Sequence, residues 1–200
     1  MRRIIAFDRV SANGYFAASD GNLNWTVPEE EIDKEAGSNM NAQGTLLFGR
    51  KTYEMFASFW PHALDDPAGP QDPHRPGARS PEMKAMAEFI NNAIKIVFSR
   101  SLKEQDMKWK NSRLIRKFDP REVEALKKEK GADIMIFGSG SIVSQLSQHD
   151  LIDEYQFIVA PVLLGDGRPL VSGVSKNSRL NLAEAKPYKS GNVKLRYTRA

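Results

Sequence analysis

Residues 133–146 read DIMIFGSGSIVSQL, and the change of pattern inside this stretch decides the fold. Ile134-Met135-Ile136-Phe137 is an apolar run of strand length, whereas Ile142, Val143 and Leu146 recur at helical spacing behind Gly138-Ser139-Gly140-Ser141. The glycines therefore fall at a strand-to-helix turn. Such a turn aims the free N–H groups of a helix's first turn at one point, where the helix dipole favours negative charge. Glycines let an anion come close, and a phosphate is the expected occupant. The stretch is not a dinucleotide fingerprint: Val143 stands where that motif has its third glycine, and Asp153 and Glu154 precede the next strand instead of ending it. A P-loop is excluded by its missing lysine.

Two further strand ends share this design. TLLFG runs into GRKTYEMF, so that Gly49 permits the turn while Arg50 and Thr52 offer a cationic fork and a hydroxyl at a helix start. IKIVF ends in Ser99-Arg100-Ser101. Strand ends are where open α/β sheets bind ligands, and three of this kind predict an extended ligand with several phosphates.

The same alternation runs through the chain. Strands are expected at Arg3–Phe7, Thr45–Phe48, Ile94–Phe98, Arg113–Arg116, Ile134–Phe137 and Tyr155–Ala160. Helices are expected after Pro28 as far as about Ala42, after Ser80-Pro81-Glu82, and from Asp119-Pro120 to a stop at Gly131. The fold class is α/β, a single domain over residues 1–200 with a mostly parallel central sheet and flanking helices. LNLAEAKPYK and VKLRYTR around Ser190-Gly191-Asn192 close one sheet edge as a C-terminal antiparallel hairpin. Residues 65–79 contain Pro67, Pro70, Pro73 and Pro76, which denies them helix or strand bonding. They read as a long loop, either a disordered insertion or a flap beside a cleft.

Composition narrows the chemistry. The 200-residue chain has no cysteine, which removes disulfides, thiolate catalysis and cysteine-ligated metals. His62, His74 and His149 lack ligand spacing, so no metal site is expected. A net charge of +4 without a long basic tract biases the protein towards anionic small molecules and not nucleic acid. The first apolar run is too short for a signal peptide and no stretch reaches membrane-spanning length. A cytoplasmic protein is expected, with the sequon at Asn24 a coincidence.

Ser11-Ala12-Asn13-Gly14, DGNLNW, LLFGRKTYE, IVFSRSL, IFGSGSIVSQL and DEYQFIVAPVLLGDGRPL, in this order, resemble the dihydrofolate reductase-like fold. Within it the chain is most similar to the reductase domain at the C-terminus of bifunctional riboflavin-biosynthesis deaminase-reductases and to its stand-alone relatives. The resemblance implies a reductase that takes a hydride from NADPH. It places the adenosine end and its extra phosphate on Gly49, Arg50, Lys51, Thr52, Ser99 and Arg100. The pyrophosphate falls on Gly138, Ser139, Gly140, Ser141 and Ile142, and the nicotinamide near Val10, Ser11, Asn13 and Gly14. Zinc deaminase chemistry needs cysteines and is absent.

Two departures stand out against that pattern: Asn13 replaces an aspartate in the SxDG position, and Ser139 brings a hydroxyl into a turn that is commonly all glycine or alanine. Asp33, 16 residues before Gly49, is the candidate catalytic and substrate-binding carboxylate, although acidic residues at a helix start also favour its dipole. Trp25 is a candidate wall of the substrate pocket. The expected substrate is a small heteroaromatic, pterin or pyrimidine-like, or a carbonyl compound. Dihydrofolate reductase proper and a non-catalytic nucleotide-binding protein are the alternatives. An exposed sheet edge and the family's habit suggest a homodimer.

Overall fold

The computed structural model describes residues 1–38, 44–63, 81–175 and 177–200; the proline-rich stretch 65–79 lies outside them. Eight strands form one sheet in the order β5-β4-β3-β6-β1-β7-β10-β9. The parallel part comprises β1 (Ile4–Ser11), β3 (Thr45–Gly49), β4 (Ile94–Phe98), β5 (Ser112–Ile115), β6 (Ile134–Phe137) and β7 (Glu154–Ala160). β9 (Leu180–Pro187) and β10 (Val193–Arg199) join it antiparallel, as the hairpin pattern requires. A second, two-stranded sheet of β2 (Tyr15–Ala18) and β8 (Gly167–Pro169) was not foreseen. Both strands are short and carry no long alternation, so their pairing is a tertiary matter.

Residue alternation explains the layers. Leu47, Ile96, Ile134 and Ile136 face one side of the sheet and pack with Val123, Leu126, Ile142, Val143 and Leu146. These last belong to α4 (Pro120–Lys128) and α5 (Gly140–Gln148). Leu46, Phe48 and Val97 face the other side, against Tyr53, Phe89 and Ile90 of α2 (Arg50–Phe59) and α3 (Pro81–Asn92). A third pair of elements meets where Ile32 of α1 (Glu30–Ser38) packs with Ile158 and Tyr188. Each fully buried Leu or Ile contributes about 1.5–3 kcal/mol relative to exposure, so the period-two and period-3.6 patterns specify both faces of the sheet.

α4 begins as the sequence suggests: the Asp119 carboxylate accepts the Arg121 N–H at 2.9 Å with Pro120 in the first turn. It ends at Lys128, short of Gly131. That glycine, at φ +148°, serves the later return into β6, close to the buried Arg2 side chain.

Candidate active-site cleft

One large cavity of about 1180 Å³ crosses the C-terminal ends of the parallel strands. β3, β4 and β6 deliver the residues singled out above: Gly49, Arg50, Lys51, Thr52, Ser99, Arg100, Gly138, Ser139, Gly140, Ser141 and Ile142 all line it. β5 supplies a fourth strand end, Arg116 and Lys117, which sequence reading passed over because no glycine or helix start marks it. Arg9 and Arg168 also reach the wall, against only Asp8 and Asp20 among acids. The lining is therefore cationic, and clefts of one sign concentrate ligands of the other.

Two helix N-termini open into this cleft, those of α2 and α5. Neither has a side-chain cap, so first-turn N–H groups of both remain available to an anion. Their closeness follows from Ser139. The β3–β6 ladder has its last aligned pair at Leu47 and Ile136, and beyond it the Ser139 hydroxyl accepts the Gly49 N–H at 2.9 Å. The hydroxyl thus extends the ladder by one bond and ties the two turns together. Ser139 holds φ +70°, with Gly138 at φ +66°, backbone that favours glycine.

Gly140 is small for a different reason than ligand approach. A Cβ there would stand 2.8 Å from a Phe16 ring carbon and 3.0 Å from the Leu170 carbonyl oxygen. β2 and the loop after β8 close over this turn, and packing demands the glycine.

The rest of the cavity is aromatic and apolar. Phe56 stacks on Phe137 at 6.3 Å, Phe7 meets Phe137 edge-on at 5.9 Å, and Trp60 lies 6.1 Å from Phe56. Met55, Met83, Met86 and Leu23 fill in around these rings. A cationic lobe with backbone donors thus adjoins a lobe suited to a flat ring.

Other expected site residues fall differently. Val10, Ser11, Asn13, Gly14 and Trp25 are not on the cavity wall. Val10 belongs to the core on the α5 side. The Ser11 hydroxyl donates to the Asn13 amide oxygen at 2.8 Å and accepts the Tyr15 N–H at 3.0 Å. Asn13 donates to the Leu164 carbonyl at 2.7 Å and accepts the Leu164 N–H at 3.1 Å. These bonds pin the β1–β2 turn to the loop after β7. The Trp25 Nε1–H is buried without a partner among the described residues. Asp33 sits on α1, one turn before Ala36, which does line the cavity; its side chain is outside what is described.

Of the two carboxylates that line the cleft, Asp8 is the buried one. It is 2% exposed, and neither oxygen completes a hydrogen bond with any described residue. Burial pushes its carboxyl up to about 7, opposed in part by the nearby Gly138 N–H. A signal was present in the sequence: in IIAFDRVS, Asp8 shares the parity of the core residues Ile4, Ala6 and Val10, where a charge is out of place.

The fold that carries this cleft is an α/β fold of the dihydrofolate reductase type. The chain belongs to the RibD C-terminal domain family, whose model matches residues 2–194. It is 27% identical over 200 residues to the YyaP protein of Bacillus subtilis (strain 168), covering 98% of this chain and 94% of that one. Among solved structures it is similar to a Shewanella sp. PV-4 protein provisionally assigned to riboflavin biosynthesis, with TM-score 0.69, 20% identity and 99% of each chain covered. It is also similar to Enterococcus faecalis dihydrofolate reductase, solved in complex with NADP(H), with TM-score 0.61 and 14% identity over 98% of this chain and 96% of that one. No helix among the described residues is long and apolar enough to cross a membrane.

Proposed function

We propose that the protein is an NADPH-dependent reductase of a small heteroaromatic, pterin or pyrimidine-like, or carbonyl substrate. The observation that carries this reading is the joined cleft: two uncapped helix N-termini flanked by Arg50, Lys51, Arg100, Arg116 and Lys117, opening onto the Phe7, Phe56 and Phe137 surface. These donors fit a phosphate-bearing dinucleotide, and the bound cofactor would supply the hydride. Gly138, Ser139, Gly140 and Ser141 hold the pyrophosphate through backbone N–H groups, with Ile142 closing the turn through its own N–H to the Ser139 carbonyl, and Arg50 and Arg100 discriminate for the ribose phosphate through charge-assisted bonds. The aromatic lobe orients flat rings and excludes water, and positioning of donor and acceptor is what hydride transfer chiefly requires. Asp33, on the helix that borders the cleft, is the candidate to anchor or protonate the substrate.

The test is loss of reduced-nicotinamide absorbance over a panel of pterins, pyrimidine ribosides and carbonyl compounds, with titration of NADPH and NADH at fixed salt. NADPH is expected to bind at least about tenfold tighter than NADH; equal affinities sink the phosphate assignment. Selective turnover of dihydrofolate marks a dihydrofolate reductase, and tight binding without turnover of any substrate marks a nucleotide-binding protein. As a cytoplasmic enzyme it pairs as a homodimer that covers a sheet edge; a monomer mass by light scattering at micromolar concentration overturns that assembly.

A further inference from the structure

Asp8 has a role that neither the family resemblance nor the phosphate-binding turns account for. By strand alternation its side chain enters the α5 face of the sheet, the face of Ile4, Ala6 and Val10. It lines the same cavity as Gly138, Ser139 and Gly140, and the Gly138 N–H acts on its carboxyl. An acid so buried, with both oxygens short of donors among the described residues, is an expensive group to keep ionised. A phosphate brought to this turn meets that charge.

We infer that Asp8 is the internal anion of the Gly138 turn: ionised, it occupies the field of the turn and repels a ligand phosphate, and a phosphate binds with uptake of one proton by the Asp8 carboxyl. The protonated acid then has an O–H to donate towards a phosphate oxygen. This rests on the reading of the Gly138 turn as a phosphate site.

The surroundings leave Asp8 as the group that titrates. β6 and α5 carry no charged side chain. β2 brings only Tyr15 as a titratable group. On β7, Glu154 pairs with Arg3 and Arg196, and the Tyr155 hydroxyl bonds to Ser147. Arg168 of β8 is hydrogen-bonded to the Ser19 carbonyl. Arg9 is on the opposite face of β1, and Arg50 and Lys51 line the cavity from the start of α2. Only burial and the Gly138 N–H act appreciably on the Asp8 carboxyl. With that carboxyl at about 7 in the free protein, ligand affinity falls as pH rises above neutrality.

The experiment is NADPH affinity of wild type and Asp8→Asn by titration at fixed ionic strength, from about pH 6 to about pH 9. The wild-type to variant ratio cancels titration of the ligand's own phosphate. Wild-type affinity should fall about tenfold or more relative to Asp8→Asn, each tenfold corresponding to one pH unit by which the ligand raises the carboxyl. The Asp8→Asn curve should carry only the titration of the ligand's own phosphate. Parallel curves overturn the inference, as does weaker binding by Asp8→Asn at acid pH, which would make Asp8 an acceptor for a ligand donor. Calorimetry of wild type in two buffers of different protonation enthalpy near pH 7.5 reads the proton without any variant; no uptake also overturns it. Failure of NADPH to bind at any pH would sink the dinucleotide reading instead, and inorganic pyrophosphate would then decide Asp8 by the same ratio.

Discussion

Ser139→Ala should destabilise the protein by removing a single oxygen. Ser139 is 6% exposed, and its hydroxyl is the acceptor for the Gly49 N–H at 2.9 Å, just beyond the last aligned pair of the β3–β6 ladder. Alanine leaves that amide buried without a partner, a loss of about 1–3 kcal/mol. In a chain of this size that corresponds to a fall in Tm of roughly 3–10 °C. A paired variant isolates the cause. Ser139→Gly removes the same acceptor but also relieves the left-handed backbone at φ +70°, recovering about 1 kcal/mol. Glycine should therefore cost less than alanine, although it is the more drastic truncation. Denaturant unfolding with equal m-values measures both. The reasoning is refuted if Ser139→Ala unfolds within about 0.3 kcal/mol of wild type, or if glycine proves as damaging as alanine.

Three other perturbations read different parts of the molecule. Gly140→Ala forces a Cβ to within 2.8 Å of the Phe16 ring and 3.0 Å of the Leu170 carbonyl, and should cost about 1–3 kcal/mol. Gly138→Ala meets no atom within 4 Å and should lose only the backbone strain, about 1 kcal/mol; urea melts of the two variants check the order. Asn13→Asp gives up the donor to the Leu164 carbonyl and should lower stability by about 1 kcal/mol, seen as a shifted denaturation midpoint, whereas an unchanged midpoint would return Asn13 to the ligand. Lys95 is fully buried, donates to the Asn91 and Lys110 carbonyls and lies 4.4 Å over Trp109. Burial, and secondarily the charge of Lys110, lowers its ammonium to about 8. The unfolded chain therefore binds the extra proton between about 8 and the ordinary 10.5, so stability should rise with pH across that window. Lys95→Met should flatten the rise, as followed by thermal melts at stepped pH.

Local pattern carried much of this protein. The apolar runs TLLFG, IKIVF and IMIF, the first and last leading through a turn into helical spacing, settled the parallel sheet, because the strand and helix periods are properties of consecutive residues. The same reading picked out the strand-end turns at Gly49, Ser99 and Gly138 as candidates for phosphate, since glycine, serine and arginine just past a strand are a local pattern, and the cavity gathers all three. Contacts between segments distant in sequence were decided by the tertiary structure. β2 and β8 pair across some 150 residues and impose the glycine at 140 through Phe16. Asn13 finds the partner for its amide in the carbonyl of Leu164, distant in sequence. Ser139 reads as bulk in a turn until Gly49 arrives to bond it. Asp8 passes for one charge in a strand, and only the closure of α5, β6 and β7 around it makes the carboxylate buried and titratable. Hydrogen-bond satisfaction and desolvation depend on the whole set of neighbours, which the fold assembles and no stretch of the chain contains.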